Sequence, residues 1–170
     1  GEMYIIPPIK KHYHTGDIIE KDDELFIILN PACDIVNQGN LEFYLVAKLI
    51  DIQTLQDIQQ NIKTDKQYSS LDDSLNKIGK EKFKKYSNNQ SQRYHYIPKF
   101  DKISKDYLID FQNLQNIKIG NIIEGEDYLS NRESIIKQYT RIASISSPFL
   151  KDIVMRFSTL YARQGQPNLL

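Results

Sequence analysis

Thr15-Gly16-Asp17-Ile18-Ile19-Glu20-Lys21-Asp22-Asp23-Glu24-Leu25-Phe26-Ile27-Ile28-Leu29-Asn30-Pro31 is the stretch from which the fold can be read. Gly-Asp is a turn signal, and the Ile pair after it reads as a short strand. Lys21-Asp22-Asp23 supplies the polar turn of a hairpin. Glu24 to Leu29, rich in branched and aromatic side chains, then reads as a buried strand. Asn30-Pro31 ends it, because proline cannot donate to a ladder.

Working outward, Asn37-Gln38-Gly39-Asn40 has turn chemistry, and Glu42 to Ile50 reads as a third, central strand. From Asp51 the period changes. Ile52, Leu55, Ile58 and Ile62 recur at helical spacing behind an acidic start. A second helix is expected from Ser70 to Lys85 through Leu71, Leu75, Ile78 and Phe83, with the polar run 87–92 as a loop. Residues 51–92 are therefore read as a helical insertion, too short for a core of its own. Strands return at 93–97, 107–111, 117–119 and 138–145. Ser147 as N-cap, Pro148 in the first turn, and Phe149, Leu150, Ile153, Val154, Phe157, Leu160 and Tyr161 on one face predict a helix over 147–164, stopped by Gly165 and Pro167. The expected core holds Leu25, Ile27, Phe43, Leu45, Ile109, Phe111, Ile153, Phe157 and Leu160.

The length of 170 residues suits a single domain, 1–170, able to bury a core without disulfides or metal. The 22 basic and 22 acidic side chains cancel, which removes any whole-chain attraction to nucleic acid or an anionic membrane but leaves room for a local patch. The single cysteine, Cys33, can form no intramolecular disulfide and no paired-cysteine zinc site, and a reducing compartment follows. The opening residues lack the basic region and apolar run of a secretory signal, and no apolar run approaches the roughly 20 residues that cross a bilayer. A cytoplasmic protein without a membrane partner is expected.

Cys33, within Ala32-Cys33-Asp34 after a buried strand, is the natural nucleophile, with His95 as base and Asp34 or Asp110 as its orienting acid. The competing account makes Cys33 a small hydrophobe and Asp34 a turn former. His95 lies between Tyr94 and Tyr96, so alternation sets it on the opposite face from both, as a site residue or a satisfied core histidine. His12 and His14 share a face if extended, yet no carboxylate spacing completes a metal site, so neither a metal nor another cofactor is expected. Lys82, Lys84 and Lys85 among Phe83 and Tyr86, continued by Arg93, Tyr94, His95 and Tyr96, mix cations with rings as single-strand binders do. A solvated lysine face has the same composition. Arg141 and Arg163 flank the last helix as candidate anion ligands. Otherwise Arg141 pairs with a carboxylate such as Asp110, and Arg163 complements the helix dipole.

The series Gly16-Asp17-Ile18, Leu29-Asn30-Pro31-Ala32-Cys33-Asp34-Ile35, Tyr94-His95-Tyr96-Ile97-Pro98, Leu108-Ile109-Asp110-Phe111, Arg141-Ile142-Ala143, Ser147-Pro148-Phe149 and Tyr161-Ala162-Arg163-Gln164-Gly165-Gln166-Pro167 resembles a bacterial domain associated with receiver-like or ATPase partners in stress and phage-defence clusters. That resemblance implies a signalling output or partner-binding module and carries no catalytic residue. Gly16-Asp17-Ile18-Ile19 and the strand at 24–29 also resemble the opening of the MazF/PemK toxin barrels, SH3-like sheets that cut RNA. Here Pro31-Ala32-Cys33-Asp34 stands where that family carries an Arg-Pro-type turn. The expected fold is α+β: a small antiparallel, SH3-like or barrel-like sheet with an inserted helical pair and a C-terminal amphipathic helix. The leading expectation for function is a non-enzymatic protein-interaction module of a bacterial defence or signalling system. The alternatives are a nucleic-acid-binding or RNA-cleaving barrel and a cysteine-dependent hydrolase or transferase.

Overall fold

The computed structural model describes residues 2–9, 13–31, 33, 43–55, 81, 83–118 and 139–164. Seven strands are present: β1 (Tyr4–Ile5), β2 (Asp17–Lys21), β3 (Glu24–Ile28), β4 (Phe43–Asp51), β5 (Tyr94–Ile97), β6 (Tyr107–Lys118) and β7 (Thr140–Ile145). The long helix α1 spans Ser147–Gln164. The class is α+β, with strand order β1-β7-β2-β3-β4-β6-β5 and antiparallel pairing at β1/β7, β7/β2, β2/β3, β3/β4 and β5/β6. Among the described residues no helix is long and apolar enough to cross a membrane. The chain divides into two compact units, 1–49 with 111–170, and 50–110.

In the first unit the hairpin forms where the sequence places it. Asp22 and Asp23 both take positive φ, 52° and 62°, as a two-residue turn matched to strand twist requires, and Lys21 faces Glu24. Ile18 and Ile19 are buried, as are Leu25 to Leu29, so β2 and β3 are covered on both faces. Ile19, Phe26, Ile28, Tyr44 and Val46 form one core cluster, with Tyr13, Ile117 and Tyr139 packed against it. The expected phase of β4 needs correction: Phe43 is 40 % exposed and Leu45 half-buried, while Tyr44, Val46, Ala47 and Leu49 are buried. A strand buried from both sides carries no clean alternation, so its phase cannot be read from apolar content.

Two further departures concern length. β1, within the proline-interrupted opening, pairs with β7 through Tyr4↔Ile145 and Ile5↔Ser144. The strands expected at 107–111 and 117–119 are one strand, because the polar Gln112, Gln115 and Asn116 are exposed while the backbone runs on. α1 starts at Ser147, but the carbonyl accepting its first bond belongs to Ser146, which takes the Leu150 N–H at 2.9 Å, so the cap is one residue earlier than expected. Phe157 stacks at 5.6 Å from Phe111, and Ile153 and Leu160 are buried.

In the second unit Ile52, Tyr86 and Leu108 form a core, packed by Leu55, Phe83, Tyr94 and Tyr96. The helix expected from Asp51 begins as a 3-10 turn, Ile52–Thr54, capped by the Asp51 carboxylate and ended by an extended Leu55. The helix expected to reach Lys85 is seen in its last turns, at 81 and 83–87. The rest of the expected helical pair lies outside the described residues.

Candidate functional site

The sequence-based candidates fall in different units. Cys33 belongs to the first unit and is exposed. His95 and Asp110 belong to the second and are buried. Asp34 and Lys82 lie outside the described residues. The β5/β6 register pairs His95 with Ile109 and Tyr94 with Asp110, so alternation sets His95 and Asp110 on opposite faces of that ladder. Asp110 instead takes the Arg93 guanidinium in a two-pronged bond, Nε to Oδ1 and Nη2 to Oδ2, both 2.9 Å. That hydrogen bond raises the Arg93 pKa further above its ordinary value, against the lowering effect of burial. The guanidinium also lies 5.0 Å from the Tyr94 ring centre.

Lys84 and Lys85 are exposed on 83–87, and the Lys85 ammonium sits 5.8 Å from the Tyr86 ring centre. The rings among them pack edge-on within the unit, Phe83 on Tyr96 at 5.6 Å and Tyr86 on Tyr94 at 5.8 Å. Arg163 is exposed in the last turn of α1, where a cation complements the helix dipole.

Arg141 pairs with a carboxylate, as one of the two readings expected, but with Asp17 at 3.2 Å in place of Asp110. A bulge is the cause. Asp17 faces Ser144 and Ile18 faces Ala143, but Ile19 faces Arg141, so Ile142 is the extra residue. In a regular register Arg141 would face Glu20 on the other side of the sheet. The bulge moves it to the face of Asp17 and Ile19.

Around Asp17 this makes a dense polar cluster among the described residues of the first unit. The carboxylate, 1 % exposed, accepts the His14 N–H at 2.7 Å, the Ser144 hydroxyl at 2.5 Å and the Arg141 guanidinium. Arg141 also lies 5.3 Å from the Tyr13 ring centre, and the Tyr13 hydroxyl donates to the Tyr139 carbonyl. Beside it Asn30 continues the β3/β4 pairing by side chain: Nδ2 donates to the Phe43 carbonyl and Oδ1 accepts the Leu45 N–H. The Thr15 hydroxyl donates to the Asn30 carbonyl. In the sequence Asp17 reads as part of a Gly-Asp turn signal and Asn30 as the end of a strand. Their signal was a small polar side chain abutting a fully apolar strand, where burial forces it to find partners.

Chemically, the Asp17 cluster clamps the 13–16 loop to β7, and its carboxylate spends three acceptor sites on that work. Among the described residues no three His, Cys, Asp or Glu side chains are grouped to hold a metal ion. The chain matches no protein-family model, and comparison with curated proteins and with solved structures gives no match.

Proposed function

We propose that this chain is a non-catalytic protein-interaction module of a bacterial multi-component defence or signalling system, acting in the cytoplasm. On this reading an SH3-like, barrel-like sheet with an inserted helical pair carries α1, and α1 meets the partner. The outward row of α1 supports it. Met155, Ser158, Thr159 and Ala162 recur at i, i+3, i+4 and i+7 and are all exposed, Met155 by 61 %. A surface helix ordinarily sets charges on that side. Here these four are uncharged, following the exposed Lys151 and Asp152 of the turn before, and the Thr159 hydroxyl is turned back onto the Met155 carbonyl at 2.8 Å. Small, uncharged residues in one row let another helix approach closely.

The test is titration calorimetry against the proteins encoded beside this chain in its genome, which on this reading include a receiver-like or ATPase partner. Wild-type chain should bind one of them, and Met155→Asp with Ala162→Asp should weaken that binding at least tenfold with an unchanged melting midpoint. Equal binding by the double variant would remove α1 from the interface. Binding to none of these proteins would remove the reading.

A further inference from the structure

Apart from α1, the second unit carries a turn that buries one apolar side chain and displays another. Phe100 and Ile103 bond each other twice, Phe100 N–H to the Ile103 carbonyl at 2.9 Å and Ile103 N–H to the Phe100 carbonyl at 2.8 Å, around Asp101 at φ 44°. Ile103 is buried and anchors the turn, while Phe100 stands 48 % exposed. Asp106 fastens the base: its Oδ1 accepts the Lys99 N–H at 3.1 Å and the Tyr96 hydroxyl at 2.7 Å. Lys105 is held to Asp51 at 3.3 Å. The ring is therefore presented by a preorganised loop, with exposed Lys99 and Lys102 on either side.

The charge around it is local. Residues 80–105 hold eight cations (80, 82, 84, 85, 93, 99, 102 and 105) against Glu81 and Asp101, in a chain that is net neutral only because the remainder is acidic; Arg93 and Lys105 are paired with Asp110 and Asp51, and the lysines are left to set the local charge. Such an excess selects an anionic partner. Segment 83–87, which carries Lys84 and Lys85, packs on β5 through Phe83–Tyr96 and Tyr86–Tyr94, and Phe100 follows β5 by three residues.

From these observations we infer that the Phe100 turn, with Lys84, Lys85, Lys99 and Lys102, is a binding site for single-stranded nucleic acid. Phe100 stacks on a base and the lysines neutralise neighbouring phosphates. Two features favour this partner. Phe100 is the single large apolar side chain exposed among the described residues of this unit, too little to wedge into a lipid surface. An extended acidic peptide would add to the outer edge of β5, but there the Tyr96 N–H is already taken by the Asn89 side chain at 2.7 Å.

The experiment is fluorescence anisotropy of the whole chain with a labelled 15-nucleotide oligo-dT or oligo-rU across a salt series. Binding should weaken with salt, with a log–log slope of about −2 to −3 for three or four neutralised phosphates. Phe100→Ala should weaken it roughly five- to hundredfold, Phe100→Trp should retain it, and Lys99→Ala with Lys102→Ala should flatten the slope by about 1.4. Circular dichroism should be unchanged in each variant. Met155→Asp with Ala162→Asp should bind the oligonucleotide as wild type does, which separates this site from the one on α1. The site is overturned by no binding at low salt, by a Phe100→Ala variant that binds as wild type, by equal affinity for duplex, or by binding to phosphatidylserine vesicles in place of the oligonucleotide.

Discussion

Asp17 and Gly16 do different work at adjacent positions. Gly16 has φ +86°, and a Cβ there would stand 2.7 Å from Leu150 Cδ1 of α1. Gly16→Ala meets both penalties, backbone strain and a crowded leucine, and should cost about 1–3 kcal/mol in denaturant titration. Adding Leu150→Ala relieves the contact but not the strain, so the double variant should not recover that backbone part. Asp17→Asn keeps the shape and removes the charge facing Arg141. A buried pair broken on one side leaves its partner uncompensated, so a loss of about 3–5 kcal/mol is expected, read as a fall in urea midpoint. An unchanged midpoint would mean that Arg141 is held without Asp17.

Among the elements, the hairpin 17–28 and α1 were legible because each carries several agreeing signals: turn residues with flanking apolar runs, or a cap, a first-turn proline and a 3.6-residue stripe. β1 was not, since two residues make no pattern, and its pairing with β7 is a long-range event. The Arg141 partner was hidden for another reason: one bulged residue inverts every facing beyond it, and a bulge leaves no mark in apolar periodicity. α1 is fastened by Phe157, between Phe111 at 5.6 Å and Tyr161 at 4.8 Å. Phe157 is half-buried, so Phe157→Ala should cost about 2–4 kcal/mol, less than a fully enclosed ring. Met155→Ala, on the exposed row, should stay within about 0.5 kcal/mol. If thermal melts show the two variants equal, the assignment of inner and outer faces is wrong.

For the whole molecule, two pH responses follow. Burial, then the hydrogen bond and charge of Asp106, push the Tyr96 phenol well above its ordinary value. A raised folded-state pKa contributes stability that is complete below the unfolded value, about 10, and is lost as pH rises beyond it. Urea midpoints should therefore fall above about pH 10, and Tyr96→Phe should reduce that dependence. The formal charge is zero and the isoelectric point about 7.0, so solubility should be lowest near neutrality and rise on either side.

By itself the sequence determined the α+β class, the first hairpin, the position of α1 and the basic, aromatic character of 80–96, because these depend on contacts between near neighbours or on composition. Tertiary structure decided the rest. It placed Cys33 in one compact unit and His95 in the other, gave Arg93 rather than Arg141 to Asp110, turned Phe43 outward, and set Phe100 on display while burying Ile103 three residues later. The last three share one reason. Which face of a strand or turn is covered depends on what packs on it from distant sequence, and a one-residue change of register exchanges inside for outside.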